Sequence, residues 1–247
     1  TRYRSVSWAR DVYKRQVSLD SSGNPLNQRG YRLQTNIAPI NEVLAAGIIH
    51  LSGWKFDCDF LDPMCGSGTF LIEAAMMAKN YPPNLKRNHF LFKNWQDFDP
   101  QLFGVIKKSI SSKISSLDVK IYGYDKSLAS VEKSIMNIKR AGLDNKIIVK
   151  KNDFFTTNKN FGAKLQMIFN PPYGERILID ISSFYKRIGD TLKQNYTNSV
   201  ACIITSNMKA LKHVGLRHKR RIKLFNGKLE SRMVSYEIYE GSKKNKH

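Results

Sequence analysis

No apolar run in this 247-residue chain approaches the roughly 20 residues that cross a bilayer, and no secretory leader pattern opens it. A cytosolic protein without a membrane partner is the expectation. Cysteine is scarce. Cys58, Cys65 and Cys202 are too few and too scattered for a disulfide framework or a zinc site. They are expected to be small, buried or half-buried thiols, and no metal is expected. Acidic residues are also in short supply, with Asp plus Glu at 20 against Lys plus Arg at 41, a net charge of +21. That excess points to a polyanion, with nucleic acid ahead of an anionic membrane surface. The charge is also uneven, since residues 209–247 hold 12 Lys/Arg against 3 Asp/Glu. Such a patch argues for a polyanion-binding surface more strongly than the total does.

What is present reads as one large domain with an altered beginning. Residues 1–16 are polar, basic and aperiodic, and SVSWARDVYKRQ resembles translated adapter sequence. They are set aside as non-native and disordered. Residues 17–35 carry the turn signal Ser22-Gly23-Asn24-Pro25 between two short runs and read as a β-hairpin or extended arm. A helix is expected to open at 38–44, with Pro39 in its first turn and apolar residues at Ile40, Leu44, Ile48 and Leu51. Residues 36–240 then form the main domain, and 241–247 are a frayed basic tail.

Within that domain strands and helices alternate. Strands are expected at 56–61, 121–124, 147–150, 165–169 and 199–205, with helices following the first, second and fourth. Gly142 closes the second of these helices. The C-terminal runs RIKLF and SRMVSYEIY flank Asn226-Gly227, a strong hairpin dipeptide. Alternating elements imply a mostly parallel sheet covered on both faces. An antiparallel terminal hairpin on such a sheet marks a class I methyltransferase: an α/β, Rossmann-like, seven-stranded sheet. Residues 79–119 interrupt the alternation with Tyr81-Pro82-Pro83, Phe90, Phe92, Trp95 and Phe98, then a helix from 100 to 114. These aromatics are expected to pack the insertion onto the body rather than to stack on bases.

The chemistry sits at strand ends. Asp62-Pro63-Met64-Cys65-Gly66-Ser67-Gly68-Thr69 is a glycine-rich turn between a strand and a helix. Such turns bring backbone N–H groups and a helix N-terminus to a ligand. Ser67 and Thr69 are candidate helix caps. Asp125, past the second strand, is placed to accept hydrogen bonds from ribose hydroxyls, or is a surface turn acid. Asp153, past the third, is placed to bond an adenine amino group with Phe154 packing on the ring, or is a helix cap. Asn170-Pro171-Pro172-Tyr173 ends the fourth strand and is the sharpest signal. An aromatic amine is a poor nucleophile because its lone pair is delocalised into the ring. The Asn170 side-chain oxygen and the Pro171 carbonyl can accept its hydrogens and favour a pyramidal nitrogen. Tyr173 can stack on a flipped base.

DPMCGSGTFLIEAA and NPPYGER, with LDSSGNPLNQRGYR, Trp54, and GLR with KLFNGKLE, resemble the THUMP-associated 23S rRNA guanine-N2 methyltransferases of the RlmL type. The likeness covers 17–244 in order. It implies S-adenosyl-L-methionine as cofactor, lined by Asp62, Cys65, Gly66, Ser67, Gly68 and Thr69, with Asp125 on the ribose and Asp153 on the adenine. It implies that Asn170, Pro171, Pro172 and Tyr173 take the target base, and that Glu175 and Arg176 shape the same loop. RNA contacts are expected from Tyr173, Glu175, Arg176, Arg217, Lys219 and Arg220, with 23S rRNA or its assembly precursor as partner. Family members carry an RNA-binding THUMP domain before the arm, and the arm at 17–35 is expected to be what remains beside its absence. Adenine-N6 methylation of DNA or RNA is the alternative chemistry. A non-catalytic RNA-binding ribosome-assembly module is the alternative of another class. An NAD-dependent oxidoreductase predicts neither the NPPY segment nor the terminal hairpin.

Overall fold

The computed structural model describes residues 9–10, 15–32, 40–160, 162–172 and 180–241. β1 (Ala9–Arg10) and β2 (Arg15–Gln16) pair antiparallel, so the stretch expected to be aperiodic and disordered holds a small ladder. In 17–32 no strand forms, which corrects the hairpin reading of the arm. Its turn is instead held by Asp20, whose Oδ1 accepts from the Ser22 and Gly23 backbone N–H groups at 2.9 and 3.0 Å. An aspartate bonding its own backbone competes with ladder formation.

α1 (Glu42–Ser52) begins later than the proline suggested. Asn41 is its cap, accepting from the backbone N–H groups of Val43 and Leu44, and Pro39 lies outside the described residues. β3 (Asp59–Asp62) is shorter than the run at 56–61. Phe56 has φ 60, a conformation that no strand accepts. α2 (Thr69–Ala78) is buried from Thr69 to Met76, which its almost wholly apolar sequence allows. α3 (Pro100–Ser111) lies in the insertion, capped by Asp99. β4 (Ile121–Asp125), α4 (Leu128–Ala141), β5 (Ile147–Lys151), β6 (Leu165–Phe169), α5 (Ile181–Asn195) and β7 (Ser199–Thr205) continue the alternation. Gly142 ends α4 at φ 75, as its position in the sequence suggested. β8 (Arg220–Asn226) and β9 (Leu229–Ile238) form the terminal hairpin.

The main sheet has seven strands in the order β5-β4-β3-β6-β7-β9-β8. The first five are parallel, and β9 joins β7 antiparallel. This is the expected class I methyltransferase architecture. Phe60, Ile168, Cys202 and Met233 pack on one face against α1 and α2, while Leu61, Met167, Ile203 and Val234 pack on the other against α5. Fully burying each of these side chains is worth about 1.5–3 kcal/mol, so both helical layers are needed to cover the sheet.

The insertion packs on itself and on the arm. Phe92 lies 5.2–5.8 Å from Phe90, Phe98 and Phe103. Arg87 donates to the Ser22 and Asn24 carbonyls at 2.7 and 2.8 Å. Beyond that contact the arm enters the core. Tyr31 is 3% exposed and donates its hydroxyl to Glu73 Oε1 at 2.9 Å, and Arg29 Nε lies 2.9 Å from the same oxygen. Arg32 reaches Thr69 Oγ1 at 3.0 Å and Glu42 at 3.4 Å. Arg29, Tyr31 and Arg32 thus tie the arm to α1 and α2.

Burial outweighs the Arg29 guanidinium and the Tyr31 hydroxyl and pushes the Glu73 carboxyl from its ordinary 4.5 up to about 7. The folded state thus holds this proton more tightly than the unfolded chain. Glu73 contributes most to stability below pH 4.5, and that contribution is lost as pH rises to about 7. Unfolding free energy measured in urea should fall across this window by at most about 3 kcal/mol on account of Glu73. Glu73→Gln should flatten the fall, and an unaltered slope in that variant would refute the assignment.

Candidate active site

The chain runs β3, β4, β5 outward in one direction and then returns to place β6 and β7 on the other side of β3. That reversal opens a crevice at the carboxyl ends of β3 and β6, where open α/β sheets bind ligands. Asp62 ends β3, Asp125 ends β4 and Asn170 directly follows β6. The ends of β4 and β6 are two strand spacings apart, about 10 Å.

The glycine turn between β3 and α2 is anchored from three sides. Cys65 N–H donates to the Tyr124 carbonyl at 2.8 Å. Gly66 N–H donates to Asp125 Oδ2 at 3.0 Å, while Asp125 Oδ1 accepts from Ser127 N–H at 2.9 Å. Asn137 of α4 donates its side-chain amide to the Ser67 carbonyl at 3.0 Å. Gly68 sits at φ 81, and a Cβ there would stand 2.3 Å from Ser134 Oγ. Only glycine satisfies both conditions. Gly68 is also the residue preceding α2, and no side chain of the described residues caps the helix. This corrects the assignment of Ser67 and Thr69 as caps. Both are buried, and Thr69 Oγ1 instead accepts from Arg32. Gly68, having no side chain, caps none of the first N–H groups of α2.

Asp62 is 2% exposed and accepts from Met64 N–H at 3.0 Å. Burial pushes its carboxyl well above the usual range, and the nearby Asp125 charge adds to the shift. Burial likewise pushes the Cys65 thiol up, with Asp62 and Asp125 adding. A thiol held protonated is a poor nucleophile, so Cys65 serves as a small wall of the turn.

Asp153 is exposed, and its Oδ1 accepts from Phe155 N–H at 3.0 Å, capping the short 3-10 turn Phe154–Thr156. Phe154 departs from expectation. It is 2% exposed and its ring lies 5.4–5.8 Å from those of Phe155, Phe169 and Tyr196. The ring belongs to the core beneath the site, not to a face that a ligand could touch. Asn170 is half-buried, Pro171 buried and Pro172 half-buried. Tyr173, Glu175 and Arg176 lie outside the described residues.

Of the four basic residues expected beside RNA, Arg176 lies outside the described residues, and Lys219 and Arg220 engage partners of their own. Arg220 pairs in register with Ser235, at mid-sheet, and donates to the Leu51 carbonyl at the end of α1. Lys219 is paired with Glu237, and Arg217 precedes both in sequence. Ser134 and Asn137 escaped the sequence reading. Their signal was two polar residues three apart on the buried stripe of α4, otherwise lined by Val131, Ile138 and Ala141.

Residues 29–235 match the family model described as the RMKL-like methyltransferase domain. The chain belongs to this family. It is 36% identical over 236 residues to the ribosomal RNA large subunit methyltransferase K/L of Hahella chejuensis, covering 90% of this chain and 33% of that protein. The protein of the same name from Vibrio campbellii is 36% identical over 92% of this chain and 33% of its own length. Among solved structures, SMU.472 in complex with SAH superposes with a TM-score of 0.85 at 31% identity, over 92% of this chain and 60% of that one. A structure described as "a possible methylase" from Clostridium difficile 630 superposes at 0.83 and 33% identity, over 92% and 60%. The chain thus spans about a third of the curated K/L relatives and about three fifths of these solved chains. The methyltransferase-family resemblance read from the sequence is borne out.

Gly68→Ala should destabilise the domain by roughly 1–3 kcal/mol, through the strained φ and the collision with Ser134. Ser134→Ala in the same chain should restore part of the loss, measured by urea midpoint. Strictly additive effects would place Ser134 away from Gly68.

Proposed function

We propose that this domain transfers a methyl group from S-adenosyl-L-methionine to an exocyclic base amine, N2 of guanine in 23S rRNA. The observation that carries the reading is the half-buried Asn170, followed by buried Pro171, at the carboxyl end of β6 across the crevice from the glycine turn. The K/L names of the relatives and the SAH held by SMU.472 support the substrate and the cofactor.

The residues of the crevice fit such a cofactor. Each Asp125 oxygen accepts one backbone N–H and retains a lone pair, so the carboxylate can still take ribose hydroxyls. Gly66 and Gly68 leave room for close approach, and the start of α2 supplies backbone donors. Asp62, Cys65, Ser67 and Thr69 shape the walls. Asp153 holds the adenine edge with the oxygen that does not cap the 3-10 turn.

The bound cofactor supplies a methyl group already activated by its sulfonium. What remains for the protein is to present a nitrogen lone pair in line and to stabilise the charge that develops on it. The Asn170 side-chain oxygen and the Pro171 carbonyl accept the two amine hydrogens and draw the lone pair out of conjugation. Pro172 stiffens the loop, since its ring fixes φ. Tyr173 is assigned to stacking on the extruded base, and Glu175 and Arg176 to shaping the same loop. The excess of cations holds the phosphate backbone near the site.

Asn170→Ala should cut turnover by about 100-fold or more and leave cofactor affinity within several-fold, because the contact forms in the transition state. Asp125→Ala should show the reverse pattern, with weakened cofactor binding. The deciding assay is transfer from labelled cofactor to under-modified ribosomal RNA, followed by nucleoside analysis. N2-methylguanosine supports the reading. N6-methyladenosine reassigns the base, and no label in any nucleic acid removes the enzymatic reading.

A further inference from the structure

The terminal hairpin overshoots the sheet. β7 ends at Thr205, which pairs with Arg232, whereas β9 and β8 continue three residues further to the Leu229–Asn226 pair. At about 3.4 Å per residue, the hairpin tip projects about 10 Å past the carboxyl edge of the sheet. That is the edge on which Asn170 and Asp125 stand. Laterally, β8 is three strand spacings from β6, about 14 Å.

The tip carries a large aromatic ring in solvent. Phe225 is 58% exposed. Along β8 it alternates with Ile222 and Leu224, which pack against the core under α1 and α2, so its ring lies on the opposite face. Lys223 lies beside it on that face, its ammonium 5.2 Å from the ring centroid. Arg232 pairs with Lys223 in register, and Lys228 follows the turn. The one carboxylate among them, Glu230, is shared by Lys223 at 2.8 Å and Arg232 at 3.9 Å, which leaves the tip net positive.

An exposed ring bordered by cations offers a stacking face that any base can use, with charge for the adjoining phosphates. We propose that Phe225, supported by Lys223, Lys228 and Arg232, is a stacking platform for an unpaired nucleotide of the RNA substrate flanking the target base. The platform is too far from Asn170 to touch the target base. It holds a neighbour along the strand and so fixes the register in which the target amine enters the crevice. The inference rests on the proposed RNA substrate and adds a contact outside the catalytic loop.

The test uses the whole chain with a fluorescent single-stranded RNA oligonucleotide. Affinity by anisotropy should fall roughly 10-fold in Phe225→Ala and return in Phe225→Trp. The same Ala variant should raise KM for ribosomal RNA with kcat and cofactor affinity little changed. Its melting temperature should hold, since the ring is in solvent. Lys228→Ala should lower the slope of log affinity against log salt by about 0.7. Unchanged RNA affinity and KM in Phe225→Ala would overturn the platform while leaving the methyltransferase reading intact. Loss of self-association in that variant, with RNA affinity untouched, would assign the tip to protein contact and also overturn it. Absence of methyl transfer by the unaltered chain would instead remove the function, and the anisotropy series would still decide Phe225.

Discussion

Asp125 ties the turn after β3 to the start of α4. One oxygen takes the Gly66 N–H from the turn after β3, and the other takes the Ser127 N–H that leads into α4. A single carboxylate thereby fixes where two neighbouring strands end relative to each other. Hydrogen bonds to an ionised acceptor are about twice as strong as neutral ones, so the turn is held firmly. The brace continues through Asn137 to the Ser67 carbonyl and through the space that Gly68 leaves for Ser134. α2 begins where it does because α4 and β4 hold its leading turn.

The faces of the sheet divide the work. On one side α1 and α2 bury a continuous apolar layer, and the arm stitches itself to α2 through Glu73 and Thr69. On the other, α5 packs over β6 and β7, with Phe154 and Tyr196 filling the space beneath the end of β5. Chemistry is left to the edge between these layers, where strand ends converge and backbone groups need not pair across the sheet.

Much of this was legible in the sequence. β6 and β7 run over 165–169 and 199–205 as read, because mostly apolar strands are covered on both faces and end at abrupt polar boundaries. The turn of the terminal hairpin announced itself through Asn226-Gly227. What failed depended on direction rather than composition. Phe154 follows a strand end at the expected place, yet its ring points into the core, and no periodicity over three residues reveals that. Pro39 drew attention from Asn41, whose side chain makes the cap. Basic residues were counted along the chain, whereas the register separates Arg220, tied to α1, from Lys228 at the projecting tip. The arm was read as a linker because Arg29 and Tyr31 meet their partner, Glu73, only more than forty residues away in sequence.

That last arrangement bears on how the domain can be isolated. A boundary drawn by homology to nucleotide-binding cores would begin near residue 36, just before α1. A protein expressed from there would lack the hydroxyl that donates to Glu73 Oε1, the guanidinium paired with it, and the cation shared by Glu42 and Thr69. A polar group left buried without its partner costs about 1–3 kcal/mol, and an unpaired charge more. Set against the roughly 5–15 kcal/mol by which a folded domain exceeds its unfolded state, that is a substantial share. Expression vectors, domain grafts or split-protein designs built on this fold should therefore place their junction before the arm.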